Sequence, residues 1–210
     1  MVLMPCKNSV KKFIPGGVYH IYNRGVEKRS IFVDDHDYRT FLNLFKLTLT
    51  PKEELENADY IRIKNKSDSV ELWAYCLMPN HFHLLIKQLD EVSMTEFMRG
   101  ISNSYVSYFN KKYKRVGSLF QGIYKAAIVD KDEHLVHLSR YIHMNPLDID
   151  IKILEYPYSS YKHYTGNTDP RWLNTSEILG HFNDQPKEYK KFVEDYKVDS
   201  LKIIKELSLD

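Results

Sequence analysis

The stretch VELWAYCLMPNHFHLLIKQ, residues 70–88, holds two runs of apolar, branched and aromatic residues separated by Met78, Pro79 and Asn80. Proline presets a turn dihedral and asparagine tolerates unusual backbone angles, so the stretch reads as a β-hairpin. Successive side chains on a strand alternate faces, which puts His81 and His83 on one face of the second strand and Phe82 on the other. Two neighbouring imidazoles make a natural clamp for a divalent metal, and the turn at Pro79 and Asn80 holds them near a sheet edge where a substrate can reach. A His-x-His pair alone is more often an ordinary surface or core pair, so the metal reading needs a third ligand from elsewhere in the chain.

Upstream, residues 17–23, GVYHIYN, form a first strand that ends at the turn of Arg24 and Gly25. Between Asp34 and Leu49 the apolar Tyr38, Phe41, Leu42, Phe45 and Leu49 recur every three or four residues, behind acids at 34, 35 and 37 that suit a helix N-terminus. Residues 51–68 are charged and carry one short β-like run at 60–63, an edge strand or a loop. Downstream of the hairpin, Phe97, Ile101, Tyr105 and Tyr108 mark an amphipathic helix over 93–112, with Ser93 as N-cap and Glu96 completing a capping box. SLFQGIYKAAIV, residues 118–129, reads as a further strand, and Asp130 or Asp132 caps a helix that runs to Asn145 and stops at Pro146.

The order β-α-(β)-β-β-α-β-α predicts an α+β fold: a ferredoxin-like antiparallel sheet with helices packed on one face. After Pro146 come loops, a short helix near Ser176–His181 and a charged helix from Lys187 onward. The expected division is one domain over 1–165 and a helical C-terminal extension over 166–210, an appendage rather than core.

Of the 210 residues, 43% are hydrophobic and 28% charged, which places the chain among globular proteins. No stretch approaches the eighteen or so apolar residues of a membrane span, so a cytoplasmic, membrane-free protein is expected. Cys6 and Cys76 are too few for a disulfide framework or thiolate cluster. The net charge of +2 does not announce a nucleic-acid binder, but residues 97–129 contain no acid. There Arg99, Lys111, Lys112, Lys114, Arg115 and Lys125 alternate with tyrosines and phenylalanines. Cations neutralise phosphates and aromatic faces stack on unpaired bases, which suits single strands; a solvated helix face over ordinary core aromatics is the competing reading.

The helix over 131–145 offers candidates for a third ligand, since Tyr141 and Asn145 lie four residues apart on one face, about 6 Å of rise. Hard ions such as Mg²⁺ or Mn²⁺ favour oxygen donors and keep open positions, so two imidazoles and an amide oxygen leave room for a phosphate. A phenol with a pKa near 10 needs activation to act as a nucleophile. With sixteen tyrosines in the chain, most are packing residues. His134, His137 and His143 read as helix-surface histidines.

Across roughly residues 15–165, the segments GGVYHIYNRG, WAYCLMPNHFHLLI, GSLFQGIYKAAIV, LSRYIHMNP and YPYSSY resemble, in order and spacing, the REP-associated tyrosine transposases of the single-tyrosine HUH-endonuclease superfamily. The resemblance implies a ferredoxin-like fold in which His81, His83 and Asn145 bind Mg²⁺ or Mn²⁺ and Tyr141 attacks a phosphodiester of single-stranded DNA beside a hairpin. The products would be a 5′-phosphotyrosine and a 3′-hydroxyl. Relatives act as monomers or as homodimers, so both remain open, as does a domesticated regulator that binds hairpin DNA or RNA without cutting. The chain departs from the family after Asn145-Pro146, where LDIDIKI carries Asp148 and Asp150, acids unsuited to a DNA contact.

Overall fold

The structure is a computed structural model that describes residues 13–56, 63–166, 168 and 170–195. Four strands, β1 (Val18–Arg24), β2 (Val70–Met78), β3 (His81–Gln88) and β4 (Lys125–Val129), form one antiparallel sheet in the order β2-β3-β1-β4. With helices α1 (Asp35–Leu49) and α2 (Ser93–Lys112) between them, this is the βαββαβ arrangement expected. The hairpin closes tightly because Met78 pairs with His81 around Pro79 and Asn80. The β-like run at 60–63 lies outside the described residues except for Ile63, which packs on the core.

Helix α1 starts where its acids predict. Asp34 accepts from the Asp37 amide while the Asp37 carboxylate reaches back, a reciprocal cap. Two other caps differ from expectation. Before α2 the amides of Val92 and Ser93 are taken by Asp90, at 2.8 and 2.7 Å, and Glu96 pairs with Lys66 instead of closing a box. Helix α3 (Asp132–Met144) has Lys131 as its N-cap, so neither aspartate caps it. Strand β4 is also shorter than the 118–129 run, since the chain before it turns at Gly122 with φ of +78°.

Helices cover both faces of the sheet, not one. On the first face Tyr19, Ile21, Leu72, Tyr75, Phe82, Leu84 and Ile86 meet Phe41 and Phe45 of α1 and Phe97, Ile101 and Tyr105 of α2. On the second, Trp73, Ala74, Cys76 and Leu85 meet Leu135, Leu138 and Ile142 of α3. Three short helices follow: α4 (Tyr161–Thr165), α5 (Ser176–Leu179) and α6 (Pro186–Glu194). Their Tyr161, Tyr164, Ile178, Tyr189 and Val193 are buried in the second core, so the described part of the tail is core rather than appendage. Among the described residues no helix is long and apolar enough to cross a membrane.

His143 is not a surface histidine. It is fully buried, 2.7 Å from the Tyr189 hydroxyl through Nδ1 and 2.7 Å from Ser160 Oγ through Nε2. Tyr189 donates on to Ser139, and Ser160 Oγ accepts the Tyr75 amide, so one polar chain ties α3 to α6, α4 and β2. Burial pushes the His143 pKa down to about 3, from an ordinary value near 6.5. The unfolded chain therefore takes up a proton below about pH 6.5 that the folded chain refuses, and the stability this group contributes is lost as pH falls from 6.5 toward 3. Replacing it with His143→Gln should flatten the acid slope of unfolding free energy, measured by urea titration between pH 7 and 4, by up to about 1.4 kcal/mol per pH unit. An unchanged slope would place the titrating group elsewhere.

Candidate active site

The second face of the sheet carries the histidines. Antiparallel pairing sets Cys76, His83, Tyr22 and Lys125 side by side across β2, β3, β1 and β4, with Met78, His81 and Arg24 in the next row toward the edge. His20, two residues before Tyr22, shares that face and approaches His83 diagonally. Helix α3 crosses above. The half-buried Tyr141 ring stands edge-on to His83, 5.3 Å between centroids at 76°, and edge-on to His20 at 6.2 Å.

Asn145 closes α3. Pro146 ends the helix in a 3-10 turn over Asn145–Ile149, which leaves the buried Asn145 amide directed back at the sheet. Its Nδ2 donates to the Tyr141 carbonyl at 2.9 Å, so its Oδ1 faces His81 Nε2, 3.4 Å away. The other nitrogen of His81, Nδ1, lies 2.7 Å from Asn80 Oδ1, an acceptor whose own Nδ2 donates to Lys28 O. Neutral His81 therefore carries its proton on Nδ1, and a lone pair on Nε2 confronts a lone pair on Asn145 Oδ1. A gap of 3.4 Å between these two atoms can be joined by a proton on Nε2 or by a small divalent ion that takes both as adjacent donors.

His83 is buried, and burial first, then His20 and His81, holds its pKa well below the ordinary range, so it is a neutral donor. The residues present thus fit a divalent ion held by His81, His83 and Asn145. Among the described residues no three His, Cys, Asp or Glu side chains are grouped to hold one.

A cleft of about 230 Å³ opens beside the two imidazoles. Arg24, Lys28, Lys125, Asn80 and Gln121 are among its walls, and among the described residues no carboxylate is. Arg24 Nε donates to Gln121 Oε1 at 2.5 Å, and Lys125 Nζ sits over the Tyr22 ring, 5.2 Å from its centroid.

The structure divides the basic stretch of the sequence. Lys125 reaches the cleft, while Arg99, Lys111 and Lys114 are exposed on or just after α2, on the opposite layer. Lys112 is taken out of the set: its ammonium lies 2.7 Å from Asp34 and from Asp37 and faces the Tyr113 ring. Arg115 folds over Phe109 and contacts Asn110 and Ser118 O. His137 and Arg140 engage each other, and His134 faces Asp130, away from the sheet histidines. Sequence reading missed Arg24, Lys28 and His20. The alternation of β1 could have grouped His20, Tyr22 and Arg24 on one face, but not opposite His81 and His83.

The family described as IS200-like transposases matches residues 18–145. A solved structure of a REP-associated tyrosine transposase bound to a REP hairpin is similar in fold, with 15% identity and a TM-score of 0.53 over 75% of this chain and 84% of that one. A candidate transposase from Deinococcus radiodurans R1 shares 14% identity, with a TM-score of 0.40 over 64% of this chain and 95% of that one. No curated protein matches by sequence.

Calorimetric titration of the DNA-free full chain with Mn²⁺ should give one site per chain. His81→Ala and Asn145→Ala should each weaken it by roughly tenfold or more, and His134→Ala should leave it unchanged. Equal affinities in all four proteins would remove these side chains from the ligand set.

Proposed function

The chain belongs to the IS200-like transposase family, and from that premise we propose that it cuts and rejoins single-stranded DNA through Tyr141. The observation that carries this reading is the convergence, within one chain, of the Tyr141 phenol with His83, His81 and Asn145 beside a cleft walled by cations. The Tyr141 oxygen attacks a phosphorus of the strand. A phenolic O–P bond forms, the bond from phosphorus to the 3′ oxygen breaks, the phenol gives up its proton and the departing oxygen takes one. A 5′-phosphotyrosine and a 3′-hydroxyl result. Reversal rejoins a strand, and because the covalent link keeps the phosphoester energy, no nucleotide cofactor is consumed.

A Mg²⁺ or Mn²⁺ held by His81, His83 and Asn145 would supply Lewis acidity toward the phosphate. The remaining work falls to side chains of the protein. Tyr141 lies on a packed helix rather than a loop, so its approach to His83 is preorganised. Arg24, Lys28 and Lys125 neutralise backbone phosphates at the cleft, and the walls' lack of carboxylates keeps an anionic strand from being repelled. The hairpin held by the REP-associated relative supports hairpin DNA as the partner. The contact of the Tyr141 ring with His83 of the same chain supports action in cis, with any homodimer leaving the chemistry unchanged.

Labelled single-stranded DNA incubated with the protein and Mn²⁺ should yield a covalent adduct on a denaturing gel, lost in Tyr141→Phe; an adduct retained in that variant would remove Tyr141 from its role. Binding without any adduct in the wild-type chain would identify a non-cutting regulator. The cations separate by the same logic. Lys125→Ala should lower the slope of log affinity against log salt by about one, whereas Lys112→Ala should leave the slope in place and lower the melting temperature.

A further inference from the structure

We propose that His20 is a positioning residue for His83: it accepts the Nδ1–H of His83 and so holds that imidazole in the tautomer whose Nε2 carries the lone pair. This deepens the reading that His83 holds an ion and rests on it. His20 Nε2 and His83 Nδ1 are 2.9 Å apart, both rings are buried, and their planes differ by only 20°, so the two rings lie side by side with the shared proton in their common plane. Two neutral imidazoles in that contact share one proton, in one of two ways. If His20 donates, the only proton of His83 is forced onto Nε2 and the ring cannot ligate. If His83 donates, Nε2 is left with its lone pair.

The neighbouring imidazole supports the second arrangement by analogy. His81 also turns Nδ1 onto an acceptor, Asn80 Oδ1 at 2.7 Å, and presents Nε2 to Asn145. His20 does for the buried ring what Asn80 does for the half-buried one. A carboxylate is the commoner partner of a ligating imidazole, but at this depth, against Tyr22 at 4.9 Å and Tyr141 at 6.2 Å, it would bury a charge. A third imidazole offers the same acceptor without one. The same ring lies under the edge of Tyr141, so a single side chain orients the ligand and props the helix that carries the nucleophile.

Long-range ¹H–¹⁵N correlation spectra of the metal-free full chain read the tautomer directly. In wild type His83 should show a protonated Nδ1 and an unprotonated Nε2. His20→Gln, whose side-chain oxygen can accept the same proton, should keep that state, and His20→Leu should lose it. Mn²⁺ affinity should fall about 10- to 100-fold in His20→Leu and recover in His20→Gln. Wild-type His83 protonated on Nε2 would overturn the proposal, as would His20→Leu with unchanged tautomer and affinity. Should His20→Leu not fold, the wild-type tautomer and the Gln variant decide alone. Failure here with a Tyr141 adduct still formed leaves the DNA-cutting reading intact. The expected tautomer with no adduct would sink that reading instead.

Discussion

Everything in the site follows from the register of one strand pair, β1 against β3, in which Tyr22 stands opposite His83 and Arg24 opposite His81. The side-chain period of a strand is two, so a slip of one residue would send His20, Tyr22 and Arg24 into the apolar first core and bring Tyr19 and Ile21 to the histidine face. The hydrophobic cost of that exchange specifies the register. Burial of Tyr19 and Ile21 with Phe82, Leu84 and Ile86 is therefore what delivers a polar row to the opposite face. The core and the chemistry are two sides of the same strands.

That division assigns a task to each layer. Helices α1 and α2 fill one face with aromatic and aliphatic packing, and α3 with the tail helices covers the other. The second layer is held by polar contacts as well as by packing: His143 joins Tyr189 to Ser160, and Arg140 lies 4.3 Å from the Phe192 ring centroid while donating to the Phe192 carbonyl. Buried polar networks that are satisfied rigidify what they join. Tyr141 lies on the same helix, between Arg140 and His143, so the contacts that seat α3 on the second face also seat the Tyr141 ring against His83.

Charge is partitioned in the same spirit. Asp34 and Asp37 cap α1 and at the same time neutralise Lys112, whose ammonium in turn holds both carboxylates below the usual carboxylate range, against the opposing effect of burial at Asp37. Three other cations, Arg24, Lys28 and Lys125, line the cleft and come from β1, the turn after it and the start of β4. Burial keeps His83 neutral among these cations. A cationic mouth around neutral imidazoles favours the approach of an anion.

The sequence by itself determined the element order, the hairpin and the shared face of His81 and His83, because these depend on residues within a few positions of one another. The spacing of Tyr141 and Asn145 on one helix was legible for the same reason. Only the tertiary structure decided that helices cover both faces, that His143 is core, that Lys112 belongs to two aspartates, and that His20 meets His83 across 63 positions of chain. Pattern along a chain reports which side of an element is apolar. It cannot report which distant partner that side or its opposite meets, since pairing register and ion pairing are settled by contacts whose entropy cost is met only when the whole core assembles.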